Sequence, residues 1–195
     1  AGLVGGGTPV RPGEIARAHH GILFLDELAE FKSSVLQSIR QPMESGCVCI
    51  TRADGNVVLP ADFMLLAASN PCPCGYLGDA EHACKCTDLQ VKTYQGRIGG
   101  PILDRISIHL DIPRLPPSAV LSTGSGTSSA QLRYGVLAAR EYASWRNATA
   151  GRPGTGARMR APDLVAACRM DGVTQAFLEE MAQTCAMSGR SIMGL

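Results

Sequence analysis

The chain has 195 residues, 45% of them hydrophobic, and a formal net charge of +1. This length and composition fit one globular domain, or one domain with a small appendage. The near-zero charge excludes a global electric field that would attract nucleic acid or a membrane surface, so any such contact must come from a local patch. The sequence has no run of about 18 apolar residues, so no transmembrane helix is expected. It also has no charged and then apolar leader, so we expect a cytoplasmic protein. Because the sequence starts with Ala1 and ends on SIMGL within a pattern, we expect it to be a piece of a longer chain.

The first quarter of the chain predicts a loop, a buried strand and a helix. Residues 1–13 are rich in glycine and proline, which is typical of a loop. The apolar run at 21–25, GILFL, is short enough for a strand that is buried on both faces. Residues 29–45 place apolar side chains at helical spacing, and a proline and then a glycine near their end indicate where that helix stops.

The middle of the chain predicts strands on either side of a cysteine-rich loop. CVCIT and NVVLP flank Asp54 and Gly55, which is a hairpin signal. FMLLAAS, at 63–69, predicts a second buried strand, and a short helix is expected near 89–97. Residues 106–112 alternate isoleucine or leucine with polar residues, which predicts a strand with one covered face.

The last part of the chain predicts helices only. A serine- and glycine-rich stretch at 118–129 indicates a linker, and apolar residues at helical spacing predict helices from 130 onward. The predicted fold class is therefore α/β, with a sheet and its helices in residues 1–117, a linker at 118–129 and a small all-helical part at 130–195.

Polar side chains follow both of the strands that are predicted to be buried. Asp26 and Glu27 come directly after the first strand, and Asn70 follows the second. In open α/β sheets, ligands bind beyond the carboxyl ends of the strands. An aspartate there can hold Mg²⁺, and a neighbouring carboxylate can polarise an attacking water. Two simpler interpretations remain open: an acid pair at the N-terminus of the next helix, and an asparagine turn before Pro71.

Four of the eight cysteines form two C-x-C pairs, Cys72 with Cys74 and Cys84 with Cys86. Four thiolates can surround a tetrahedral ion, and Zn²⁺ prefers such a set in structural sites. The alternative is a cluster of free, oxidisable thiols, and His82 is a weaker candidate ligand. The other four cysteines lie in apolar patterns and are predicted to be buried thiols; they are Cys47, Cys49, Cys168 and Cys185.

Several long motifs resemble a single family. They are GLVGGGTPVRPGEIARAHHGILFLDELAEF, RQPMESG, ASNPCPCGYLGD, CKCT and GPILDRISIHLDIP. On these motifs the chain resembles the Mg-chelatase-like AAA+ ATPases of bacteria, the ComM/YifB family, densely over residues 1–113 and more loosely over 130–195. The resemblance implies a partial AAA+ P-loop core with a helical lid. It also implies an ATP- and Mg²⁺-dependent motor that assembles as a homo-oligomeric ring, a hexamer, and acts on DNA as a helicase in branch migration during natural transformation or recombination.

The resemblance also assigns roles to individual residues by position. These roles are the Walker B metal residue for Asp26, the catalytic glutamate for Glu27, sensor 1 for Asn70, the arginine finger for Arg105 and sensor 2 for Arg190. An arginine finger would stabilise charge that develops on a neighbouring subunit's nucleotide. For Arg105 the alternative is an ion pair within the chain, with Asp104 or Glu14.

The chain departs from the family pattern at three places. Ser107 stands where the family has an acid, and Met193 stands where it has a histidine. The sequence also contains no GxxxxGK[ST] motif, whose lysine and backbone N–H groups cradle phosphates. The family places that motif upstream of these residues, so this chain alone is expected to hydrolyse little ATP. Two other functions stay open: a motor subunit of magnesium chelatase itself, and a non-enzymatic zinc-binding interaction module.

Two basic stretches are candidates for contact with DNA phosphates. Residues 146–160 contain four arginines and no acid, although a loop between lid helices is the interpretation that we favour for them. Arg11 lies next to the glycines at 5–7, which suit a mobile loop in the pore of a ring.

Overall fold

The computed structural model describes residues 2–52, 55–121, 126–149, 151, 165, 167–187, 189 and 192. It divides into two compact units, of which the first comprises residues 1–113 and the second residues 114–193. The first unit contains strands and helices, and the second is helical wherever it has regular structure in the described residues. The predicted α/β class with a helical C-terminal part is therefore confirmed.

The first unit contains six strands and four α-helices among its described residues. The strands are β1 (Gly5–Gly6), β2 (Arg11–Pro12), β3 (Ile22–Leu25), β4 (Cys47–Arg52), β5 (Gly55–Pro60) and β6 (Met64–Ala67). The helices are α1 (Glu14–Arg17), α2 (Ser33–Ser45), α3 (Asp88–Gly96) and α4 (Gly100–Leu103), and a 3₁₀ turn covers Leu28–Glu30.

A parallel pair of strands, β3 and β6, forms the centre of the first unit. The pairing runs in register from Ile22 opposite Met64 to Leu25 opposite Ala67. Both strands arise from the apolar runs that predicted them, but only one face of β3 is buried, through Leu23 and Leu25. Ile22 is 60% exposed, because none of the described elements covers the other face of the pair. The prediction of strands buried on both faces is therefore wrong for these residues.

The core of the first unit lies against the covered face of this pair. Helix α1 contributes Ile15, α2 contributes Leu36 and Ile39, and α4 contributes Ile102, all essentially inaccessible to solvent. Full burial of one such side chain stabilises the fold by about 1.5–3 kcal/mol. The remaining buried members of the cluster are Leu23, Leu25, Leu28, Ala29, Val48, Ala61, Tyr94 and Ile98.

Helix α2 ends at its glycine and not at its proline. Pro42 lies inside the last turn, whereas Gly46 caps the helix with φ 68° and donates its N–H to the carbonyl oxygen of Pro42 at 2.9 Å. Glycine adopts this left-handed conformation without a steric cost. The prediction that Pro42 helps to stop the helix is therefore wrong.

Two hairpins flank the central pair. Strands β4 and β5 pair antiparallel from Cys47 opposite Pro60 to Arg52 opposite Gly55, which confirms the hairpin predicted around Gly55. The predicted loop at 1–13 contains a second, shorter hairpin of β1 and β2. A Cβ atom on Gly13 would lie 2.3 Å from the backbone nitrogen of Gly5, so this crossing of the chain requires glycine.

Two further predictions are wrong. Residues 106–112 form no strand; Ile106 is half-buried against the core, whereas Ile108, Leu110 and Ile112 are exposed, Ile112 to 86%. No described strand pairs with them, so the alternation has no sheet to join. The four cysteines outside the C-x-C pairs are not buried: Cys47 is half-buried, and Cys49, Cys168 and Cys185 are exposed. On β4 the reason is the alternation of side chains, because Val48 takes the buried face and its neighbours take the other.

The second unit is described as three helices, α5 (Pro117–Leu121), α6 (Ser129–Thr149) and α7 (Gly172–Thr184). Helix α5 overlaps the segment predicted as a linker. Arg190 and almost all of the arginine-rich stretch beyond Thr149 lie outside the described residues. Among the helices that are described, none combines the length and the apolar character needed to cross a membrane.

Candidate functional site

Asp26 and Glu27 form a sharp corner at the carboxyl end of β3. Glu27 has φ 51° and ψ 48°, a left-handed conformation that costs about 1–3 kcal/mol for a residue other than glycine. Its N–H donates to Oδ1 of Asp26 at 2.8 Å, and its own side chain makes no capping hydrogen bond to the 3₁₀ turn that follows. Glu27 therefore does not act as a simple helix cap, and both exposed carboxylates are presented at a strained turn, as is typical of functional sites.

The end of β6 is hydrogen-bonded to this corner. The N–H of Ala68 donates to the carbonyl oxygen of Leu25 at 2.9 Å, and the N–H of Leu28 donates to the carbonyl oxygen of Ala68 at 2.8 Å. Asn70 follows two residues later and is exposed. The parallel register thus brings Asp26, Glu27 and Asn70 to the same edge, which we call the carboxyl edge.

Arg105 is held within the first unit. One terminal nitrogen, Nη2, donates to Glu44 on the last turn of α2, and Nη1 donates to the carbonyl oxygen of Pro101. The Arg105 side chain is only 10% exposed, and its Nε is buried without a hydrogen-bond partner. An ion pair of Arg105 within the chain is therefore present, and its partner is Glu44. Glu14, one of the acids considered from the sequence, pairs with Arg17 at 3.2 Å.

The two C-x-C pairs converge into one group, the cysteine cluster, made of Cys72, Cys74, Cys84 and Cys86. Their four sulfur atoms lie within 4.8 Å of one another. Three of the separations are 3.4 Å for Cys72–Cys74, 3.7 Å for Cys72–Cys84 and 3.6 Å for Cys74–Cys84. Zn–S bonds of about 2.3 Å in a tetrahedron place sulfurs about 3.8 Å apart. Donor type, number and spacing therefore fit a zinc ion.

The thiols of the cluster differ in acidity. Backbone hydrogen bonds from Lys85 and Tyr76 lower the pKa of Cys74 to about 6, whereas burial raises the pKa of Cys86 to about 12. Four thiolates so close together repel one another, so they can ionise together only around a cation. Metal binding would supply that cation, and the ligand thiols would release their protons as it binds.

The loop that carries the cluster is shaped by local turns. Gly75 has φ 80°, and its N–H donates to the carbonyl oxygen of Cys72 at 3.0 Å. His82, the weaker ligand candidate, stacks on the ring of Tyr76 with centroids 5.1 Å apart, and its Nδ1 lies 3.4 Å from Asp79. His82 is thus engaged beside the cluster, and the group of residues whose spacing could hold a metal ion consists of the four cysteines.

Helix α3 starts directly after the cluster. Thr87 is its N-cap and forms a capping box with Gln90, in which each side chain accepts a hydrogen bond from the other residue's N–H. At the other end of the helix, Gln95 Nε2 donates to the carbonyl oxygen of Pro71 at 2.9 Å, and Arg97 pairs with Glu30 at 3.3 Å. The helix therefore contacts the segments that follow both β6 and β3.

Sequence comparison now places this arrangement in a family. A profile described as "Magnesium chelatase, subunit ChlI" matches residues 1–120, and one described as "Magnesium chelatase, subunit ChlI C-terminal" matches residues 126–194. The chain belongs to the magnesium chelatase ChlI family. The resemblance inferred from the sequence motifs is thereby confirmed, and the ChlI-type match covers the carboxyl edge, Arg105 and the cysteine cluster.

Individual relatives of this ChlI-family chain are longer than it is. Competence protein ComM of Haemophilus influenzae is 38% identical over 190 residues, which is 97% of this chain but 36% of ComM. YifB of Salmonella typhimurium is 45% identical over 141 residues, 71% of this chain and 27% of YifB. The magnesium-chelatase 67 kDa subunit of Chlorobaculum parvum is 37% identical over 71 residues, 36% of this chain and 12% of that protein. The chain thus spans about a third of ComM.

Among solved structures, NtrX of Brucella abortus in complex with ADP covers 57% of this chain and 21% of its own, with 19% identity and a TM-score of 0.36. A score this low supports no argument about the ChlI-family chain.

Sequence reasoning missed three residues around this edge. They are Glu44, Glu30 and Gln95, to which no motif in the sequence assigns a role. Their partners are 61, 67 and 24 positions away, respectively. A local pattern gives no signal for contacts at such separations.

Proposed function

We propose that this chain is part of an ATP-hydrolysing AAA+ ring motor of the ComM type that acts on DNA in the cytoplasm. The observation that carries the proposal is the parallel pairing of β3 with β6, by which Asp26, Glu27 and Asn70 reach one carboxyl edge. Ligands of open α/β sheets bind at such edges. Membership of the ChlI family and the extended match to ComM support the same function.

Each polar residue of the carboxyl edge then has a separate task. When bound, ATP with Mg²⁺ supplies the phosphoryl group and the ion that neutralises charge developing on it. Asp26 is suited to hold the ion, because Mg²⁺ in proteins is bound through one or two carboxylates. Glu27 would take the proton of the attacking water, and Asn70 would orient that water through its side-chain amide.

The phosphate-binding loop of this motor must come from another part of the protein. These residues contain no GxxxxGK[ST] motif, and backbone N–H groups with a lysine are what cradle phosphates in P-loop proteins. We propose that an upstream segment of the longer protein supplies them. The alternative, a non-enzymatic zinc-binding module, has the same absence in its favour, and finding the motif upstream would decide against it.

Arg105 would act on the nucleotide of a neighbouring subunit in a hexameric ring, and Arg190 would act as sensor 2. An arginine suits the finger role because its planar guanidinium offers a fork of donors and stays charged. In the present structure the guanidinium of Arg105 donates to Glu44. The proposal therefore requires that Arg105 exchange Glu44 for the neighbour's nucleotide when the ring forms.

The cysteine cluster would hold one Zn²⁺ ion in a structural site. The support is the fit of its four sulfurs to a tetrahedral ion. Of the four cysteines only Cys72 is fully buried, so the group is not explained as a set of buried core thiols. Cys72 and Cys86 would then be joined across the loop that separates β6 from α3.

DNA contact would come from basic residues on the short hairpins. Arg11 is exposed on β2, and Arg52 at the end of β4 donates to Thr8 Oγ1 at 3.2 Å, which brings the ends of the two hairpins together. Arginines at adjoining hairpin ends can meet successive phosphates.

A motor subunit of magnesium chelatase remains the second candidate function, but the match to the magnesium-chelatase 67 kDa subunit extends over 71 residues, against 190 for ComM.

The test is the Glu27→Gln variant of the full-length protein. Loss of the general base should lower the rate of ATP hydrolysis about 10²-fold or more while ATP binding is retained. Glu141→Gln on the exposed surface of α6 is the matched control and should hydrolyse ATP normally. Unchanged turnover in Glu27→Gln, or a full-length protein that neither binds nor hydrolyses ATP, would refute the proposal.

In the full-length protein with an intact Glu27, the Arg105→Ala variant should bind ATP and hydrolyse none. Mixing it with Glu27→Gln subunits should restore part of the activity, because some sites then combine an intact Glu27 with a neighbour's intact Arg105. Mixed rings that co-assemble without any recovery would show that Arg105 does not act between subunits.

A further inference from the structure

Helix α3 is connected to the cysteine cluster through its N-terminus. Cys86 directly precedes Thr87, the residue that caps the helix. On the other side of the loop, Cys72 is buried and follows Asn70 by two positions. Any ion that joins the four sulfurs therefore joins the start of α3 to the segment that positions Asn70.

The C-terminal end of α3 contacts the same segment a second time. Gln95 donates its side-chain N–H to the carbonyl oxygen of Pro71, the residue between Asn70 and Cys72, at 2.9 Å. The helix is fixed beneath this contact, because Tyr94 is 4% exposed and Ile98 is 9% exposed within the core. Because Tyr94, next to Gln95 in the chain, is buried, the backbone at Gln95 has a defined position and its side chain can donate to Pro71.

A third contact reaches the other half of the carboxyl edge. Arg97 pairs with Glu30 at 3.3 Å, and the N–H of Glu30 donates to the carbonyl oxygen of Glu27 at 2.8 Å. Glu30 thus closes the turn that begins at the strained Glu27. One helix end is therefore bonded both to the segment that contains Asn70 and to the turn that contains Glu27.

We propose that α3 is the link through which the cysteine cluster and the carboxyl edge constrain each other, with Gln95 and Arg97 as positioning residues. Both side chains act through others: Gln95 through the backbone at Asn70, and Arg97 through the turn at Glu27. Closing the loop from Cys72 to Cys86 with a metal ion would limit where Asn70 lies, because Asn70 is two positions before Cys72. The inference rests on the proposed function, since it takes the carboxyl edge to be where nucleotide binds.

Coupling of this kind is reciprocal by thermodynamic necessity. If the bound metal favours the position of Asn70 that contacts nucleotide, then bound nucleotide must favour retention of the metal by the same factor. Metal release is therefore a readout of the link that does not depend on catalysis.

The experiment measures zinc release at equilibrium from full-length protein, with Mg²⁺-ATP and without nucleotide. The Glu27→Gln background keeps ATP intact, and the share of zinc transferred to a competing coloured chelator at equilibrium reports the affinity of the protein for zinc. We expect ATP to raise that affinity about fivefold or more, which lies within the usual range of coupling between sites. Gln95→Glu keeps the shape of the side chain but removes the donor to Pro71, so it should reduce the effect of ATP to less than twofold.

Two controls separate a positioning role from a general loss of structure. Lys92→Ala lies on the exposed side of the same helix and should leave the effect of ATP unchanged. Glu30→Arg and Arg97→Glu should each weaken the effect, and the double variant, which restores an ion pair in reverse, should recover it. Recovery by the swap is not expected if the single variants merely unfold the helix.

The outcomes distinguish this inference from the proposed function. If Glu27→Gln binds ATP and is inactive but ATP does not alter zinc release, the function stands and the link is refuted. The link is equally refuted if the protein contains no zinc, or if Gln95→Glu responds to ATP as Lys92→Ala does. If ATP does not bind at all, the proposed function fails first.

Discussion

Replacing Glu44 with glutamine tests whether the ion pair with Arg105 is a real constraint on the first unit. Glutamine keeps the shape and an acceptor oxygen, but it removes the charge opposite the guanidinium. Arg105 would then donate to neutral acceptors, the glutamine oxygen and the carbonyl oxygen of Pro101, and its Nε is buried without a hydrogen-bond partner. We expect the protein to be less stable, because a nearly buried cation would lose its counter-charge.

The magnitude follows from the exposure of the two partners. Arg105 is 10% exposed and Glu44 is 48% exposed. Breaking a fully buried pair costs about 3–5 kcal/mol, whereas an exposed pair contributes about 0–1 kcal/mol. With one partner buried and the other half in water, we expect a loss of about 1–2 kcal/mol in the free energy of unfolding. For a protein of this size that corresponds to a fall of roughly 2–8 °C in Tm.

Urea denaturation and thermal unfolding of matched variants provide the assay. Glu14→Gln breaks the ion pair with Arg17, in which the arginine side chain is 65% exposed and the glutamate side chain 59% exposed. It should lower the free energy of unfolding by no more than about 0.5 kcal/mol. If Glu44→Gln costs no more than Glu14→Gln, the pair contributes nothing and the reasoning from burial is wrong. In the full-length ring, Glu44→Gln should also release Arg105 more readily, so ATP hydrolysis that depends on Arg105 should not decrease.

Three further predictions concern the metal, one glycine and one helix cap. Protein purified without chelator should contain about one zinc per chain by the four-ligand rule, and removal of the metal should lower Tm; a metal-free protein with unchanged Tm would contradict the zinc assignment. Gly13→Ala should destabilise the fold by about 1–3 kcal/mol or more through overpacking, because its Cβ would lie 2.3 Å from the backbone nitrogen of Gly5 and from the carbonyl oxygen of Leu3. Gly2→Ala is the control and should be neutral, because its Cβ would have no atom within 4 Å. Equal effects of the two variants on the free energy of unfolding would contradict the close approach. Hydrogen bonds from Thr174 hold the pKa of Asp171 below its ordinary value, so the contribution of this cap to α7 is complete above the unfolded-state pKa of about 3.9 and is lost as the pH falls through the lower folded-state pKa. Circular dichroism from pH 6 to pH 2 should show that loss, and Asp171→Asn, which caps without titrating, should not show this component.

The features that sequence predicted correctly are those whose cause is local. The apolar runs at β3 and β6 formed strands, and the hairpin at Gly55 formed because a turn residue stood between two strand-forming runs. The C-x-C pairs converged because each pair fixes two sulfurs close together and a single loop has only to bring the pairs into contact. Parallel pairing brings the segments that follow β3 and β6 to one edge, since the carboxyl ends of parallel strands lie together.

The features that sequence missed depend on what lies opposite a residue in space. Whether Arg105 is free or paired depends on Glu44, which is 61 positions away. Nothing in the pattern around either residue indicates the other. No local pattern marks Gln95 on helix α3, and only the folded loop shows that Pro71 is its partner. The roles proposed for these residues therefore needed the structure, although the residues themselves were visible in the sequence.

The wrong predictions of burial on β3 and β6 and of a strand at residues 106–112 have one physical cause in common. Apolar side chains on β3, β6 and residues 106–112 indicate burial, yet each of these segments has exposed apolar residues in the described structure. A parallel strand is normally covered on both faces, and an alternating strand needs a neighbour to pair with. The sequence pattern predicts that a segment is covered, whereas the exposed fraction of its side chains depends on which described residues lie against it. The apolar pattern of these segments therefore predicts a cover for the exposed face of the β3–β6 pair and a partner for residues 106–112, and none of the described elements supplies either.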